Sequence, residues 1–286
     1  MQYPIVISGA GILGCYISHS LNLQGIDSVV LESGIDEIED SVRTITLNPF
    51  SKSLLDKMDI KNDYSTINKM EVKDFDGTGK IVFESSEIGL DHLAYVVDFA
   101  TLLRSIRKKV DQRIIYKDEI IDIYNKGSFH EVVCSSGKVI KTNLIISADG
   151  KNSKIANKIP KLDKDYSQTA LTFLASSERD LGTSAYQIFS DNGICAFMPT
   201  RKGGKDLVTV VWSISNDQIL NGRTEFVKKN IEKISRKIRN SFQIRSKIQS
   251  FKLSSHNRSS YVHFPVVLVG DSAHSIHPLA GQGVNL

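Results

Sequence analysis

The chain has 286 residues, 41% of them hydrophobic and 24% charged, which are the proportions of an ordinary soluble enzyme with room for one large domain or two smaller ones. A net charge of +4 is too small to point to nucleic acid, and no aromatic-basic interleaving supports such a partner. Cys15, Cys134 and Cys195 form no close pair, so neither a disulfide framework nor a zinc site is indicated.

The opening "YPIVISGAGILGCYISHSLNLQGIDSVVLES" reads as strand, glycine turn, helix, strand. Ile5 and Ile7 lie in a short buried strand. Ile12, Leu13, Ile17 and Leu21 follow at helical spacing, Gly25 ends the helix, and "SVVLE" is a second strand. This predicts one parallel βαβ unit. The apolar start has no basic segment before it and is broken at once by glycines, so it reads as a strand and not as a signal peptide. "SKSLLDKM" is helix-like, and "MEVKDFDGTGKIVFES" predicts a hairpin around Asp76-Gly77.

Residues 98–110 read as a helix, with short strands around 113–124, 129–134 and 138–141. "NLIISADG" (143–150) is a buried strand ending in a turn, and 168–212 holds further strands, including "GICAFMP" and "DLVTVVWSI". In "TEFVKKNIEKISRKIRNSF", Phe226, Val227, Ile231, Ile234 and Ile238 share one helical face and the basic residues form a solvated one. Trp212 reads as core. The last stretch, "VVLVGDSAHSIHPLAGQGVNL", is a strand, a turn and a glycine-framed loop. No apolar run approaches the roughly 20 residues of a membrane span, so any meeting with a membrane would be peripheral.

Three motifs carry chemistry. Gly9-Ala10-Gly11-Ile12-Leu13-Gly14 follows a strand and opens a helix: Gly9 allows the tight turn, Gly11 lets backbone approach a pyrophosphate, and Gly14 lets helix and strand pack closely. Free amides at the helix start favour phosphate. Glu32 ends the second strand, where a carboxylate accepts hydrogen bonds from a ribose. This indicates a dinucleotide site without separating NAD from FAD. Asp149-Gly150 is the second motif, equally readable as a plain turn. In the third, Asp271 follows a buried strand and suits ribityl hydroxyls, Pro278 stiffens the approach, and Gly281-Gln282-Gly283 suits a flat ring edge at a helix start. His274 and His277 lie three apart without an accompanying carboxylate or thiolate cluster, which favours packing over a metal site.

In this order GAGILG, ADGKNS and GDSAHSIHPLAGQGVNL resemble the group A flavoprotein monooxygenases of the para-hydroxybenzoate hydroxylase fold, and among them the ubiquinone-biosynthesis hydroxylases. Supporting matches are Arg43 in "SVRTITL", "YVVDFATLL", "AFMP", "VVWSI" and "FKLSSHNRSSY". The resemblance implies an α/β fold: a discontinuous Rossmann-like FAD-binding domain (1–65, 96–165 and 255–286) with an inserted sheet-rich substrate domain (66–95 and 166–254). It implies that Gly9, Ala10, Gly11 and Gly14 hold the FAD pyrophosphate, Glu32 the adenosine ribose and Asp271 the ribityl chain. Arg43, Asp149 and Gly150 would lie near the cofactor and the approach of NADPH or NADH, and Pro278, Gly281, Gln282 and Gly283 would line the flavin ring.

The implied reaction is hydroxylation of an aromatic ring, a polyprenylated phenol in ubiquinone biosynthesis, by molecular oxygen. The implied setting is cytoplasmic, with peripheral membrane or biosynthetic-complex association. Other readings remain open: an isoprenoid reductase or soluble-aromatic hydroxylase of the same fold, a non-catalytic flavin-binding accessory protein, or an incomplete chain. The sequence names no catalytic residue. Ala156 stands where the family's aspartate-glycine motif usually ends in arginine, and Phe99 where a polar or basic residue is common. The family also continues past the GQGxN segment into further helices, so a missing carboxyl-terminal helical segment is expected.

Overall fold

A computed structural model describes residues 1–34, 38, 41–219, 222–276 and 285. The chain opens with β1 (Ile5–Ser8), α1 (Ile12–Leu23) and β2 (Ser28–Glu32), and β1 and β2 pair in parallel as predicted. Both are near-continuous apolar runs, as suits parallel strands covered on two faces. Beyond α1, Gly25 takes φ +72°. Ile12, Ile17 and Leu21 pack on the core as their spacing predicts, yet the fully buried positions of α1 are Gly14, Cys15 and Ser18. Small residues let the helix sit close to the sheet, and Ser18 Oγ meets Ser28 Oγ at 3.1 Å.

β3 (Thr44–Leu47), α2 (Pro49–Lys57), β4 (Ser65–Ile67), β5 (Lys69–Asp74), β6 (Lys80–Glu84), β7 (Ala94–Asp98) and α3 (Phe99–Arg107) follow. Asn48 Oδ1 accepts from Ser51 N at 2.7 Å, with Pro49 in the first turn, so α2 starts where capping chemistry places it. Asp98 caps α3 in the same way, accepting from Thr101 N at 2.9 Å. β3, β7 and β4 make a small antiparallel sheet, and β5 and β6 form the predicted hairpin.

After α3 come β8 (Ile115–Lys117), β9 (Ile120–Asn125), β10 (His130–Cys134), β11 (Val139–Thr142) and β12 (Leu144–Ser147). The stretch around 113–124 is therefore two strands. β8 joins the parallel sheet beside β2, while β9 begins a meander with β10 and β11. Asp118 marks the break. Its carboxylate accepts from the amides of Glu119 (3.0 Å) and Ser136 (3.1 Å) and from the hydroxyls of Ser135 (2.7 Å) and Ser136. Burial pushes that carboxyl up, but the Ser136 and Ser135 hydroxyls and the two amides outweigh burial and hold it below the usual aspartate range.

The rest is β13 (Lys161–Ser177), β14 (Ser184–Ser190), β15 (Gly193–Lys202), β16 (Lys205–Ser215), α4 (Arg223–Ser235), β17 (Phe242–Ile244), β18 (Gln249–Arg258), β19 (Val262–His263), β20 (Val266–Leu268) and β21 (His274–Ser275). Among the described residues, one sheet runs β19-β20-β12-β1-β2-β8, parallel except at β19. A second, mostly antiparallel, runs β21-β18-β13-β16-β15-β14-β5-β6, with β17 also on β13. β13 begins well before residue 168 because the exposed Lys161–Asp165 pair with Ser254–Arg258. Lys161–Asp165 are all exposed and carry no apolar alternation, and the partner residues they cover are the polar His256 and Arg258, so the sequence does not announce the pairing.

The two faces of the second sheet differ. Leu171, Phe173, Phe197, Val210 and Trp212 fill the face packed with Val227, Ile231 and Ile234 of α4. The opposite face is mixed: Ala170, Thr172, Ala196, Thr209 and Ser213 are buried along it, together with Leu174 and Met198. Met198 of that face receives a hydrogen bond from Thr46 Oγ1 at 3.4 Å, which joins the second sheet to β3.

Candidate functional site

The ends of β1, β2, β8 and β12 converge on a cleft of about 230 Å³, lined by Ser8, Gly9, Leu31, Glu32, Ser33, Asp118, Glu119, Ile120, Asp149, Asn152, Lys154 and Ile155. Open α/β sheets bind ligands outside the carboxyl ends of their strands. The volume is below the roughly 300–1,000 Å³ of pockets that enclose a whole drug-sized ligand, so the cleft matches one part of a dinucleotide.

Each glycine of the first motif does separate work. Gly9 adopts φ +101°, and a Cβ there would lie 2.6 Å from the Ala148 carbonyl oxygen. A Cβ on Gly14 would lie 1.9 Å from the Gly9 carbonyl oxygen, so the turn and the first helical turn interlock. A Cβ on Gly11 would meet nothing within 4 Å: its outer side is open. No side chain caps α1 and no acidic residue stands in its first turn, so its leading amides stay available to an anion.

Ala10 is pinned from both sides. Its N–H donates to Glu32 Oε2 at 2.8 Å, and its carbonyl accepts from Arg107 Nε at 3.0 Å and Cys15 Sγ at 3.3 Å. Burial pushes the Cys15 thiol up to about 11 against the lowering influence of Arg107. Glu32 Oε1 accepts from Gly34 N at 3.0 Å, so one carboxylate ties the glycine turn to the loop after β2. Asp149 accepts from Ser147 Oγ at 2.6 Å and Ser8 Oγ at 3.2 Å, and Gly150 turns at φ +80°. Gly9, Ala10, Gly11, Gly14, Glu32, Asp149 and Gly150 are thus brought together.

Asp271 lies apart from that cleft, exposed in the short turn after β20. Arg43 is within electrostatic reach of it, and the Arg43 guanidinium sits 4.4 Å from the centre of the Phe99 ring. Pro278, Gly281, Gln282, Gly283 and His277 lie outside the described residues. Asn285 donates from Nδ2 to Thr46 O at 2.7 Å and accepts from Asn48 N at 2.9 Å, which ties the last described residue to the β3–α2 junction.

Sequence reasoning missed the far wall of the cleft, Asp118 to Ile120, and the rim pair of Lys154 with Glu119 at 2.7 Å. It also missed Arg258. Arg258 is 3% exposed, its guanidinium meets no carboxylate among the described residues, and it donates to Ile159 O (2.8 Å), Asn157 Oδ1 (3.0 Å) and Ser272 O (3.4 Å). It holds the segment after Asp149 against the turn carrying Asp271. Neither group has a motif around it.

An open Gly11 face, a helix with no acidic residue in its own first turn and Glu32 at the strand end fit a dinucleotide's pyrophosphate and ribose, and together they define a dinucleotide-binding α/β protein. Residues 125–286 match the family model described as FAD binding domain, and the chain belongs to that family. It is 27% identical over 306 residues to 3-demethoxyubiquinol 3-hydroxylase of Escherichia coli K12, covering 99% of this chain and 76% of the relative. It is 26% identical over 352 residues to the mitochondrial ubiquinone biosynthesis monooxygenase COQ6 of Danio rerio, covering 99% and 72%. The Pseudomonas aeruginosa PqsL structure with 2-aminobenzoylacetate superposes with TM-score 0.83 at 18% identity, over all of this chain and 83% of that one. The p-nitrophenol 4-monooxygenase PnpA of Pseudomonas putida gives 0.78 at 15%, over 99% and 76%. The expected α/β flavoprotein fold is the one observed, and the chain is an enzyme of the FAD-dependent monooxygenase group. Among the described residues no helix is long and apolar enough to cross a membrane.

Proposed function

We propose that this monooxygenase hydroxylates the ring of a polyprenylated phenol in ubiquinone biosynthesis, with NADPH or NADH as reductant. The observation that carries the reading is the convergence of the glycine turn, Glu32 and Asp149 on one cleft, in a chain related along its length to two enzymes of that pathway. FAD, when bound, supplies the redox and oxygen chemistry. The chain's own residues bind it, orient it and keep water out.

In this reading Gly9, Ala10, Gly11 and Gly14 hold the pyrophosphate at the start of α1, and Glu32 holds the ribose. Asp118 to Ile120 wall the adenine side, Asp149 and Gly150 flank the cofactor, and Asp271 takes the ribityl hydroxyls with Arg43 nearby. Pro278, Gly281, Gln282 and Gly283 meet the ring edge. Residues 1–65, 96–165 and 255–286 form the cofactor domain, and 66–95 and 166–254 the substrate domain. The parallel sheet falling in the first set and most of the second sheet in the other supports that division. The sheet face of Ala170, Thr172 and Ser213, which also carries Leu174 and Met198, suits an aromatic ring better than the α4 side, which is filled by the helix. A lipid-tailed substrate would bring a cytoplasmic enzyme to a membrane surface peripherally.

The test is direct. Purified protein should show flavin absorption bands and oxidise NADPH faster with a prenylated phenol, forming a product carrying one oxygen atom from O₂. Retained flavin with equal or better turnover of unprenylated phenols would sink the substrate assignment.

A further inference from the structure

The second sheet ends at β6, whose outer edge pairs with no described strand. Natural edge strands are blunted by shortness, edge charges, proline, bulges or a covering element, and β6 has only its five-residue length and a charge at each end. This one reads Lys80-Ile81-Val82-Phe83-Glu84, with Ile81 58% and Phe83 49% exposed.

Bonds beyond both ends of the β5–β6 ladder fix which backbone groups point outward. Ser85 N donates to Asn68 O at 2.9 Å, and Asp74 N donates to Gly79 O at 3.0 Å. Facing residues in antiparallel pairs alternate between hydrogen-bonded and non-bonded. Phe83 with Met70 and Ile81 with Val72 are therefore the bonded pairs toward β5. The N–H and C=O groups of Lys80, Val82 and Glu84 face away from the sheet. Among the described residues, Glu84 N has only a 3.4 Å contact to Glu87 Oε2.

The five residues are their own antiparallel complement. With a two-fold axis through Val82, Lys80 stands opposite Glu84 of the partner subunit and Ile81 opposite Phe83 of the partner subunit, each twice. Opposite charges and aromatic–aliphatic pairs directly across strands both favour association. The outward backbone groups lie in the same register, since Val82 with its mate and both Lys80–Glu84 couples would be the bonded pairs.

We propose that the β6 edge is a self-association surface on which a second copy of this chain adds antiparallel, joining two sheets across a two-fold axis. Such an isologous contact closes on itself and yields a dimer, not a fibre. A five-residue strand covers less than the roughly 1,200 Å² of a stable complex, so the dimer is weak and depends on concentration.

Sedimentation of the 286-residue protein across the micromolar to low-millimolar range tests this. The weight-average mass should rise toward twice the monomer's. Glu84→Lys places lysines opposite each other at both couples and should weaken association about tenfold. Adding Lys80→Glu to it restores opposite charges and should return affinity close to wild type. Val82→Pro removes an outward N–H that no described strand uses, and should abolish association while flavin content and circular dichroism are kept. Val82→Cys should cross-link to itself on oxidation, because facing residues of a bonded pair lie about 5.5 Å apart, within disulfide reach. The native thiols are all buried and give no background. A wild type that stays monomeric throughout, or a Glu84→Lys protein that associates as well as wild type, overturns the proposal.

Discussion

Two strand ends, those of β1 and β20, each turn on a glycine with positive φ, at +101° for Gly9 and +57° for Gly270. They are held by different means. Around Gly9 the nearest neighbours are backbone: the Ala148 carbonyl, the Asp149 Cα, and the Gly9 carbonyl itself facing Gly14. Around Gly270 they are side chains. A Cβ there would meet the tip of Leu13 at 2.3 Å, Ser272 Oγ donates to Ser147 O at 2.5 Å, and Arg258 reaches across to Ser272. Backbone neighbours cannot yield, whereas side-chain tips can. The first end is therefore set by the fold itself, and the second by packing that substitution can loosen.

The sharpest test of that difference is Gly14→Val. A branched side chain facing a backbone oxygen has no room, so we expect more than about 4 kcal/mol of lost stability, seen as insoluble or flavin-free protein. A stable, flavin-bound Gly14→Val protein would erase the contrast. Arg258→Met should come next, because it strands the buried carbonyls of Ile159 and Ser272. At about 1–3 kcal/mol for a stranded group, the melting temperature should fall by several degrees. Arg258→Lys should recover only part, since an ammonium does not reproduce the planar fork.

For Asp271→Ala the readout is affinity. FAD binding should weaken by about one to two decades while the melting temperature of the FAD-free protein stays put. A change in stability without one in affinity would make Asp271 a turn residue only. Gly270→Ala should be milder, about 1–2 kcal/mol, for it pays the left-handed backbone term while Leu13 swings aside. The smallest effect concerns acid. Burial first, then the charges of Arg258 and Lys161, hold the His256 imidazole below its usual value, so it is neutral in the fold. The unfolded chain protonates near pH 6.5, so this contribution is complete above that pH and is lost as pH falls through the folded value. Melting measured at about pH 7.5 and about pH 5.5 should show the loss, and Arg258→Met should shrink it by removing one of the depressing cations.

What could be read from the sequence follows the same division. Gly9 and Gly14 are legible because a backbone that leaves no space for a Cβ admits only glycine, and Glu32 because a strand end places it. The hairpin of β5 and β6 and the buried face of α4 are legible from alternation and helical spacing. Asp118 and Arg258 are not, since each works through hydroxyls, amides or carbonyls that only the folded chain assembles. The extra length of β13 is hidden because its residues 161–165 are all exposed and show no apolar alternation. The small residues of α1 mislead in the other direction, since closeness of approach, not hydrophobicity, puts Gly14, Cys15 and Ser18 deepest.

The three thiols have a consequence for durability. Cys15, Cys134 and Cys195 are all buried, and burial pushes the first two up to about 11 and the third well above the usual thiol value. The thiolate is the form oxidants attack, and near pH 7 a thiol at that value is ionised in only about one molecule in ten thousand. A catalyst that handles molecular oxygen therefore keeps its most oxidisable groups protonated and out of reach. Cys15 is the telling case: it stands one helical turn from the glycine loop, where a free thiolate would face the cofactor's own neighbourhood, and it spends its proton on the Ala10 carbonyl instead.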